Sequence, residues 1–277
     1  MNPAPPVTRI LEVIRVTQTH CQLGDRIVTS LLTIVLLFAH LVRETITVVL
    51  GTYNEAENIT KLIPSLENIF LGEKLEGEIV VVDDNSPDGT GDIIRRFESE
   101  YNNVRLFSRP EKLGHGSAIA EGYRKAEGDI ILSMDTDFSH DPADIPRFIA
   151  KLNEGFDFVQ ASRYVRGGSY EVNSFETWKK NVASKFGNGL ARTLTGVPLH
   201  DFTTSYRAVR KVVVERVVTE ATGNSFFLEF AVKAHRNGFR ITEIPIIFKD
   251  RVSGKSKLKL GKQSTNMLKE LLKLSFS

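Results

Sequence analysis

Asp135 and Asp137 stand two residues apart, just after the apolar run Ile130-Ile131-Leu132. Such a run, entered from Gly128-Asp129 and left through Ser139-His140-Asp141-Pro142, reads as a buried strand opening into a loop. Side chains two apart on extended chain project to the same side. Two carboxylates then converge at a strand's carboxyl end, the edge at which open α/β sheets bind ligands. Hard oxygen donors of this kind suit Mg2+ or Mn2+ shared with a diphosphate. An Asp-x-Asp is also a common solvated turn, so the rest of the chain has to discriminate.

Other residues bear on the choice. Asp84 ends the run Glu78-Ile79-Val80-Val81-Val82 and offers acceptors to nucleotide N–H or ribose O–H groups, while Asp83 points the other way and caps the turn Asn85–Thr90. Arg163 follows the strand Phe156–Ala161 on the same edge, either toward ligand or in a surface ion pair. Lys249, Arg251, Lys255, Lys257, Lys259 and Lys262 form a basic stretch opposed only by Asp250. With Gly254 inside it, that stretch reads as a loop closing over a diphosphate, or as a solvated basic loop. Glu229 shares a helix with Phe226, Phe227 and Phe230 and reads as a sugar or acceptor contact or as an exposed position. His115 and His140 read as satisfied loop histidines. No Gly-x-Gly-x-x-Gly follows the first strand, which disfavours a dinucleotide fold, and Lys249 stands where a P-loop ending in Gly254-Lys255-Ser256 needs glycine. The loop Tyr53–Glu57 lacks the Gly-rich, Arg-containing character of a sugar nucleotidyltransferase.

The elements that must position these groups alternate. Strands are expected at 46–50, 78–82, 104–107, 128–132 and 156–161, with helices between them carrying Ile59–Phe70, Ile93–Tyr101, Gly114–Ala126 and Ile145–Leu152. Pro64 should kink the first helix or mark its first turn. Alternation of this kind makes a mostly parallel sheet with helices on both faces. Beyond Tyr164 it breaks. A mobile loop is expected at 167–175, a helix at 178–195, a strand at 201–208, a helix at 226–237, extended chain at 241–248 and a basic amphipathic helix from about 263. That last helix suits a membrane surface or a docked terminus equally.

Of 277 residues, 41% are hydrophobic and 25% charged, which fits a soluble globular domain. The net charge of +2 gives no reason to expect a nucleic-acid partner, and the single cysteine excludes an internal disulfide. Residues 1–45 form an extension distinct from the domain at 46–277. Within it, Ile27–Val42 is an apolar run shorter than the ~20 residues of a spanning helix. It reads as a packed or unstructured extension, or as a membrane anchor.

The stretches Thr52-Tyr53-Asn54-Glu55, Val81-Val82-Asp83-Asp84-Asn85-Ser86-Pro87-Asp88-Gly89-Thr90, Met134-Asp135-Thr136-Asp137 and Ala161-Ser162-Arg163-Tyr164 resemble the motifs of glycosyltransferase family 2. Asp201–Arg207 and Asp250–Lys257 extend the likeness, which is to the family's dolichol-phosphate mannose synthases in particular. The resemblance implies an A-type glycosyltransferase fold. It implies inverting transfer of mannose from GDP-mannose to dolichyl or another polyprenyl phosphate, at the cytosolic face of a membrane. That membrane would be the endoplasmic reticulum in a eukaryote and the plasma membrane in a prokaryote, with small membrane subunits as partners. It implies that Tyr53, Glu55, Val82 and Asp84 line the nucleotide pocket. Asp135, Thr136 and Asp137 would hold Mg2+ or Mn2+ and donor, and Arg163, Arg251 and Lys257 would meet phosphates. Lys180 and Ser184 fall where an Arg-x-x-x-Ser pair meets the acceptor phosphate, although Lys lacks the bidentate fork. Gly51 replaces the usual proline, and Ser139 a Gln found in some members. The alternatives are glucosyl transfer from UDP-glucose and a non-catalytic sugar-nucleotide-binding protein.

The residues also bear on the acceptor. A sugar hydroxyl needs a base to take its proton. Asp135 and Asp137 are committed to metal, and neither His115 nor His140 is marked as a base. A phosphate monoester is already largely dianionic at neutral pH, its second pKa being near 6, and needs only docking cations, for which Lys180 and Arg163 are the candidates.

Overall fold

The structure is a computed structural model describing residues 44–171, 175–221, 223–249 and 260–276. Residues 45–277 form one compact unit. The apolar run 27–42 lies outside the described residues, as do Arg251, Lys255 and Lys257.

Strands β1 (Thr45–Thr52), β2 (Glu76–Asp83), β3 (Val104–Ser108), β4 (Ile130–Met134) and β5 (Phe158–Ser162) alternate with helices α1 (Ala56–Gly72), α2 (Thr90–Glu100), α3 (His115–Lys125) and α4 (Ile145–Asn153), the last entered through a short 3-10 turn at Pro142–Asp144. There follow β6 (Ser169–Tyr170), α5 (Phe175–Thr195), β7 (Arg207–Arg210), α6 (Lys211–Arg216), α7 (Ser225–Arg236), β8 (Ile241–Pro245), β9 (Ile247–Phe248) and α8 (Leu260–Phe276). The main sheet has the order β3-β2-β1-β4-β7-β5-β8. It is parallel except for β7, which runs antiparallel between β4 and β5.

Period-two alternation along the strands feeds two cores. Ile46, Val48 and Leu50 of β1, Ile79 and Val81 of β2 and Leu132 of β4 pack with Leu62, Leu66, Ile94, Phe148 and Leu152 from α1, α2 and α4. Val49, Val80, Val82 and Ile131 face the other way, onto Ile119 and Tyr123 of α3, Phe226–Val232 of α7 and Leu271 and Leu274 of α8. The sheet is thus covered on both sides, and its strands are apolar throughout for that reason.

Pro64 lies in the middle of α1, not in its first turn. A proline there costs about 3 kcal/mol. Ile59, Leu62, Ile63, Leu66 and Phe70 are buried along the same helix, at about 1.5–3 kcal/mol each, so burial outweighs the break.

Two expectations are corrected. The strand expected at 201–208 starts only at Arg207. Before it, main-chain N–H groups bond to side chains and form no ladder: Phe202 N–H to Asn188 Oδ1 (2.8 Å), Thr203 N–H to Asp201 Oδ1 (3.2 Å) and Tyr206 N–H to Thr204 Oγ1 (3.2 Å). The loop expected at 167–175 contains β6, which pairs in parallel with β9 as a separate two-stranded sheet.

At Gly116, in the first turn of α3, an added Cβ would fall 1.7 Å from the carbonyl oxygen of Gly223. A main-chain atom cannot swing aside as a side chain can. Gly116→Ala should therefore lower the midpoint of urea unfolding, with a loss of at least the ~1–3 kcal/mol typical of overpacking; an unchanged midpoint would show that the α3–Gly223 contact yields freely.

Candidate active site

The carboxyl ends of β1, β2, β4 and β5 lie on one edge, and the chain order reverses between β1 and β4. Ligands bind at such a switch point in open sheets. The loops leaving β1 and β2 are locked together there. Asp83 accepts from Thr52 Oγ1 (2.8 Å), Ser86 Oγ (2.6 Å) and Ser86 N–H (2.9 Å). Ser86, Thr90 and Asp88 in turn accept from the N–H groups of Asn54 (2.9 Å), Glu55 (3.0 Å) and Ala56 (3.1 Å). Asp83 is the turn cap expected of it.

Asp84 departs from expectation. Its Oδ1 takes Arg109 Nε at 2.6 Å and pairs with Arg109 Nη2, and its Oδ2 accepts from the N–H groups of Leu113 (3.1 Å) and Gly114 (2.9 Å). Both oxygens are occupied, so Asp84 organises the loop before α3. The Val82 side chain is fully buried in the core beneath α3. Tyr53 and Glu55 remain at the mouth of the edge. Lys112 Nζ sits 3.6 Å from the centre of the Tyr53 ring, a cation that nothing in the spacing marked.

β4 ends at Met134, before either acidic residue. Asp137 therefore lies not on the strand but in a turn, with Phe138 in the left-handed region (φ 60°). A bulky residue there costs on the order of 1–3 kcal/mol. Asp137 Oδ1 accepts from Ser139 N–H (3.1 Å) and Ser139 Oγ (2.6 Å). Thr136, between the two acidic residues in sequence, is buried.

Asp135 is gripped from three sides. Ser205 Oγ donates to its Oδ1 (2.6 Å), His115 Nε2 lies 3.1 Å from the same oxygen, and its main-chain N–H donates to His140 Nδ1 (3.1 Å). Burial works against the charge on Asp135, but His115 and the Ser205 hydroxyl oppose it and hold the carboxyl below the usual range. His140 Nδ1 lies 3.9 Å from Asp135 Oδ2. That is no charged pair, since an Nδ1 that accepts an N–H carries no proton. Burial pushes the His140 pKa down despite Asp135 and Asp137, and its Nε2–H is left to donate to Thr204 Oγ1 at 3.1 Å. His140 is the satisfied histidine expected. His115 is more than that: a Cβ at Gly51 would lie 3.1 Å from its Nδ1, so glycine at 51 is what lets the ring reach Asp135.

Arg163 does not present its fork to the edge. Nε and Nη2 bind Asp201 Oδ2 (2.7 Å) and Oδ1 (2.8 Å), Nη2 also binds Thr203 Oγ1 (2.6 Å), and the rings of Tyr164, Tyr170 and Phe248 surround the guanidinium at 5.2–5.6 Å. A bidentate partner in its own chain, with Thr203, takes its Nε and Nη2 donors. Ser184 joins this network through Thr203 Oγ1 at 3.4 Å. Lys180 lies on α5 one turn away, and its side chain is outside the described residues. Glu229 is neither exposed nor at the edge: it is fully buried and accepts from Glu220 N–H (2.9 Å), Ala221 N–H (2.7 Å) and Lys233 Nζ (2.6 Å). Lys249, the last described residue before the basic stretch, ties its N–H to Ser139 O (3.2 Å) and its Nζ to Asp141 Oδ2 (3.1 Å). Lys249 is thereby fastened to the turn that holds Asp137.

Asp135 and Asp137 are hard oxygen donors beside a neutral imidazole. Among the described residues no cluster of three or more His, Cys, Asp or Glu could hold a metal ion unaided. Two carboxylates are the donor set that suits a cation such as Mg2+ or Mn2+, which is held by one or two carboxylates and completed by phosphate oxygens.

Residues 47–218 match the sequence profile of Glycosyl transferase family 2. The polyprenol monophosphomannose synthase of Mycolicibacterium smegmatis is 34% identical over 218 residues, 76% of this chain and 80% of the relative. A dolichol-phosphate mannosyltransferase of Pyrococcus furiosus is 33% identical over 83% of this chain and 63% of its own length. The crystal structure of glucosyl-3-phosphoglycerate synthase from Mycobacterium tuberculosis, in complex with Mn2+, UDP and glucosyl-3-phosphoglycerate, superposes with a TM-score of 0.64 at 20% identity, covering 84% of this chain and 80% of that one. The fold is the A-type glycosyltransferase fold.

The Arg163–Asp201 pair should behave as a buried ion pair. Asp201 is fully buried, which opposes its charge, yet Arg163 and Thr203 hold its pKa below the usual value. A depressed carboxyl contributes stability above its unfolded pKa of about 3.9 and loses it as pH falls through the folded value. Asp201→Asn should cost about 3–5 kcal/mol near pH 7. In urea titrations its deficit against the wild type should shrink below about pH 4; a deficit constant down to pH 2 would deny the pairing.

Proposed function

The chain belongs to glycosyl transferase family 2 and is a glycosyltransferase, and from that premise we propose that it moves mannose from GDP-mannose to a polyprenyl phosphate such as dolichyl phosphate, with inversion, at the cytosolic face of a membrane. The relatives named for polyprenol- and dolichol-phosphate mannosyl transfer support the sugar and the acceptor. The observation that carries the acceptor is that, among the described residues, both histidines beside the acidic turn direct their ring nitrogens into the protein. Both ring nitrogens of His140 are bonded, and His115 turns Nε2 to Asp135 and Nδ1 toward Gly51. Neither presents a nitrogen to an incoming hydroxyl. A phosphate monoester needs no proton removed, and its oxygen attacks the anomeric carbon opposite the departing diphosphate.

In this reading Asp135 and Asp137 would hold Mg2+ or Mn2+, which would neutralise charge on the leaving diphosphate. Tyr53 and Glu55 border the nucleotide. Ser184, with Lys180 one turn before it, lies beside the Arg163–Thr203 network and receives the acceptor phosphate. Arg163 acts there by ordering Asp201 and Thr203.

The lipid has a seat on the same helix. Trp178, Val182 and Phe186 of α5 are spaced by four residues and are 50%, 46% and 75% exposed, with Lys179 and Lys185 also exposed beside them. An apolar stripe flanked by lysines suits an anionic membrane surface. Among the described residues no helix is long and apolar enough to cross a membrane.

The reaction is tested by offering GDP-mannose and UDP-glucose, each with a polyprenyl phosphate and the matching polyprenol. Mannosyl phospholipid from GDP-mannose alone is expected, and efficient transfer to the alcohol would sink the reading. Asp137→Asn should reduce turnover by at least 100-fold, the scale on which one charge-stabilising group at a reaction centre acts, while the unfolding midpoint moves little. Trp178 is the only tryptophan, so its emission should shift to the blue with anionic phospholipid vesicles and cease to shift in Phe186→Glu; an unmoved wild-type spectrum would remove α5 from the membrane.

A further inference from the structure

Arg207 opens β7, paired with Ser133 of the strand that leads to Asp135 and with Gln160 of the strand that leads to Arg163. It is 0% exposed, and its described hydrogen-bond partners are carbonyls, not carboxylates: Nη1 donates to Phe227 O (3.0 Å) and Nη2 to Thr204 O (2.8 Å). The rings of Phe158 and Phe227 lie 5.4 and 5.0 Å from the guanidinium carbon. Among the described residues Nε has no hydrogen-bond partner, and neither has the Oε1 of fully buried Gln160. Burial pushes the Arg207 pKa down to about 10, which leaves the group charged at neutral pH. A buried cation whose described hydrogen-bond partners are all carbonyls is a costly filler for an apolar core, where a side chain such as Met would pack at lower cost.

What the cation does there is specific. Gln160 Nε2 also donates to Thr204 O, at 3.1 Å, so two buried side chains converge on one carbonyl and fix the peptide between Thr204 and Ser205. Thr204 Oγ1 accepts from His140 Nε2, and His140 Nδ1 receives the Asp135 N–H. Ser205 Oγ donates to Asp135 Oδ1 at 2.6 Å, while Ser205 O accepts from Ser133 Oγ at 2.6 Å. Consecutive residues thus grip Asp135 at its main chain and at its carboxylate.

We propose that Arg207, assisted by Gln160, is a positioning residue for the metal-binding carboxylate Asp135, acting through the Thr204–Ser205 peptide. The proposal rests on the metal-dependent reading above. Groups that orient a metal ligand from behind typically alter metal affinity by about 10- to 100-fold.

The test is direct titration of full-length protein with Mn2+ in the presence of GDP, following the free Mn2+ signal by electron paramagnetic resonance, with thermal melts run alongside. Arg207→Met should weaken Mn2+ binding by about tenfold or more, and Arg207→Lys should recover part of the loss. Ser205→Ala should weaken binding by a similar factor. Because both changes act along one path, Arg207→Met combined with Ser205→Ala should weaken it by less than the product of the two. If Arg207→Met does not fold, Gln160→Leu takes its place in the same scheme. Folded variants that bind Mn2+ as the wild type does, or single effects that multiply in the double variant, would overturn the proposal. A wild type that binds no Mn2+ would overturn the metal-dependent reading as well, so the two failures are distinguishable without any sugar or lipid.

Discussion

A carboxylate taken out of water stays ionised only if donors replace the solvent it has lost, and that requirement governs the ligand edge of this protein. Asp83, Asp84, Asp137 and Asp201 are all buried there. Each is held by a different kind of donor: hydroxyls and an N–H for Asp83, Arg109 and two N–H groups for Asp84, Ser139 for Asp137, and Arg163 with Thr203 for Asp201. Thr52 bonded to Asp83, Arg109 and the N–H groups of Leu113 and Gly114 bonded to Asp84, and Arg163 bonded to Asp201 fasten separate loops to one another, while Ser139 holds Asp137 within its own turn.

Asp135 differs from this group. Its carboxylate keeps partial exposure while hydroxyl and imidazole partners fix one oxygen. A side chain held on one side and open on the other can meet a cation without first reorganising, which is the preorganisation that charge-stabilising catalysis needs. The neighbouring groups divide the remaining work. Asp84 and Arg109 shape the loop before α3, Arg163 and Asp201 shape the segment that ends near Ser184, and the short β6–β9 sheet carries Tyr170 and Phe248 against Arg163.

The alternating fold was legible because each strand is apolar on both faces and each helix on one, and burial on two sides of a parallel sheet demands that pattern. The position of the Asp135–Asp137 turn followed from the run that precedes it. What period and composition left open was the occupancy of the side chains around the turn. Asp84 is bonded to Arg109, the Val82 side chain lies in the core, Arg163 is paired with Asp201, an ion pair being one of its two readings, and Glu229, read as a sugar or acceptor contact or as an exposed position, is bonded to the N–H groups of Glu220 and Ala221. Position along a strand says which edge a side chain occupies, but not whether a partner far away in sequence has already taken its hydrogen bonds.

By itself, then, the sequence determined the elements, the edge on which the acidic turn lies, and the likeness of its motifs to a family, because these depend on local period and on residue types at fixed spacing. Only the tertiary structure decided the occupancy of each polar group. Arg163 meets Asp201 across 38 residues, Asp135 meets Ser205 across 70, and Thr204 O collects donors from Gln160, 44 residues before it, and from Arg207, three after it. Pairings of that kind follow from β7 inserting antiparallel between β4 and β5, an arrangement with no local signal, since the segment before it bonds its main chain to side chains where a strand was expected.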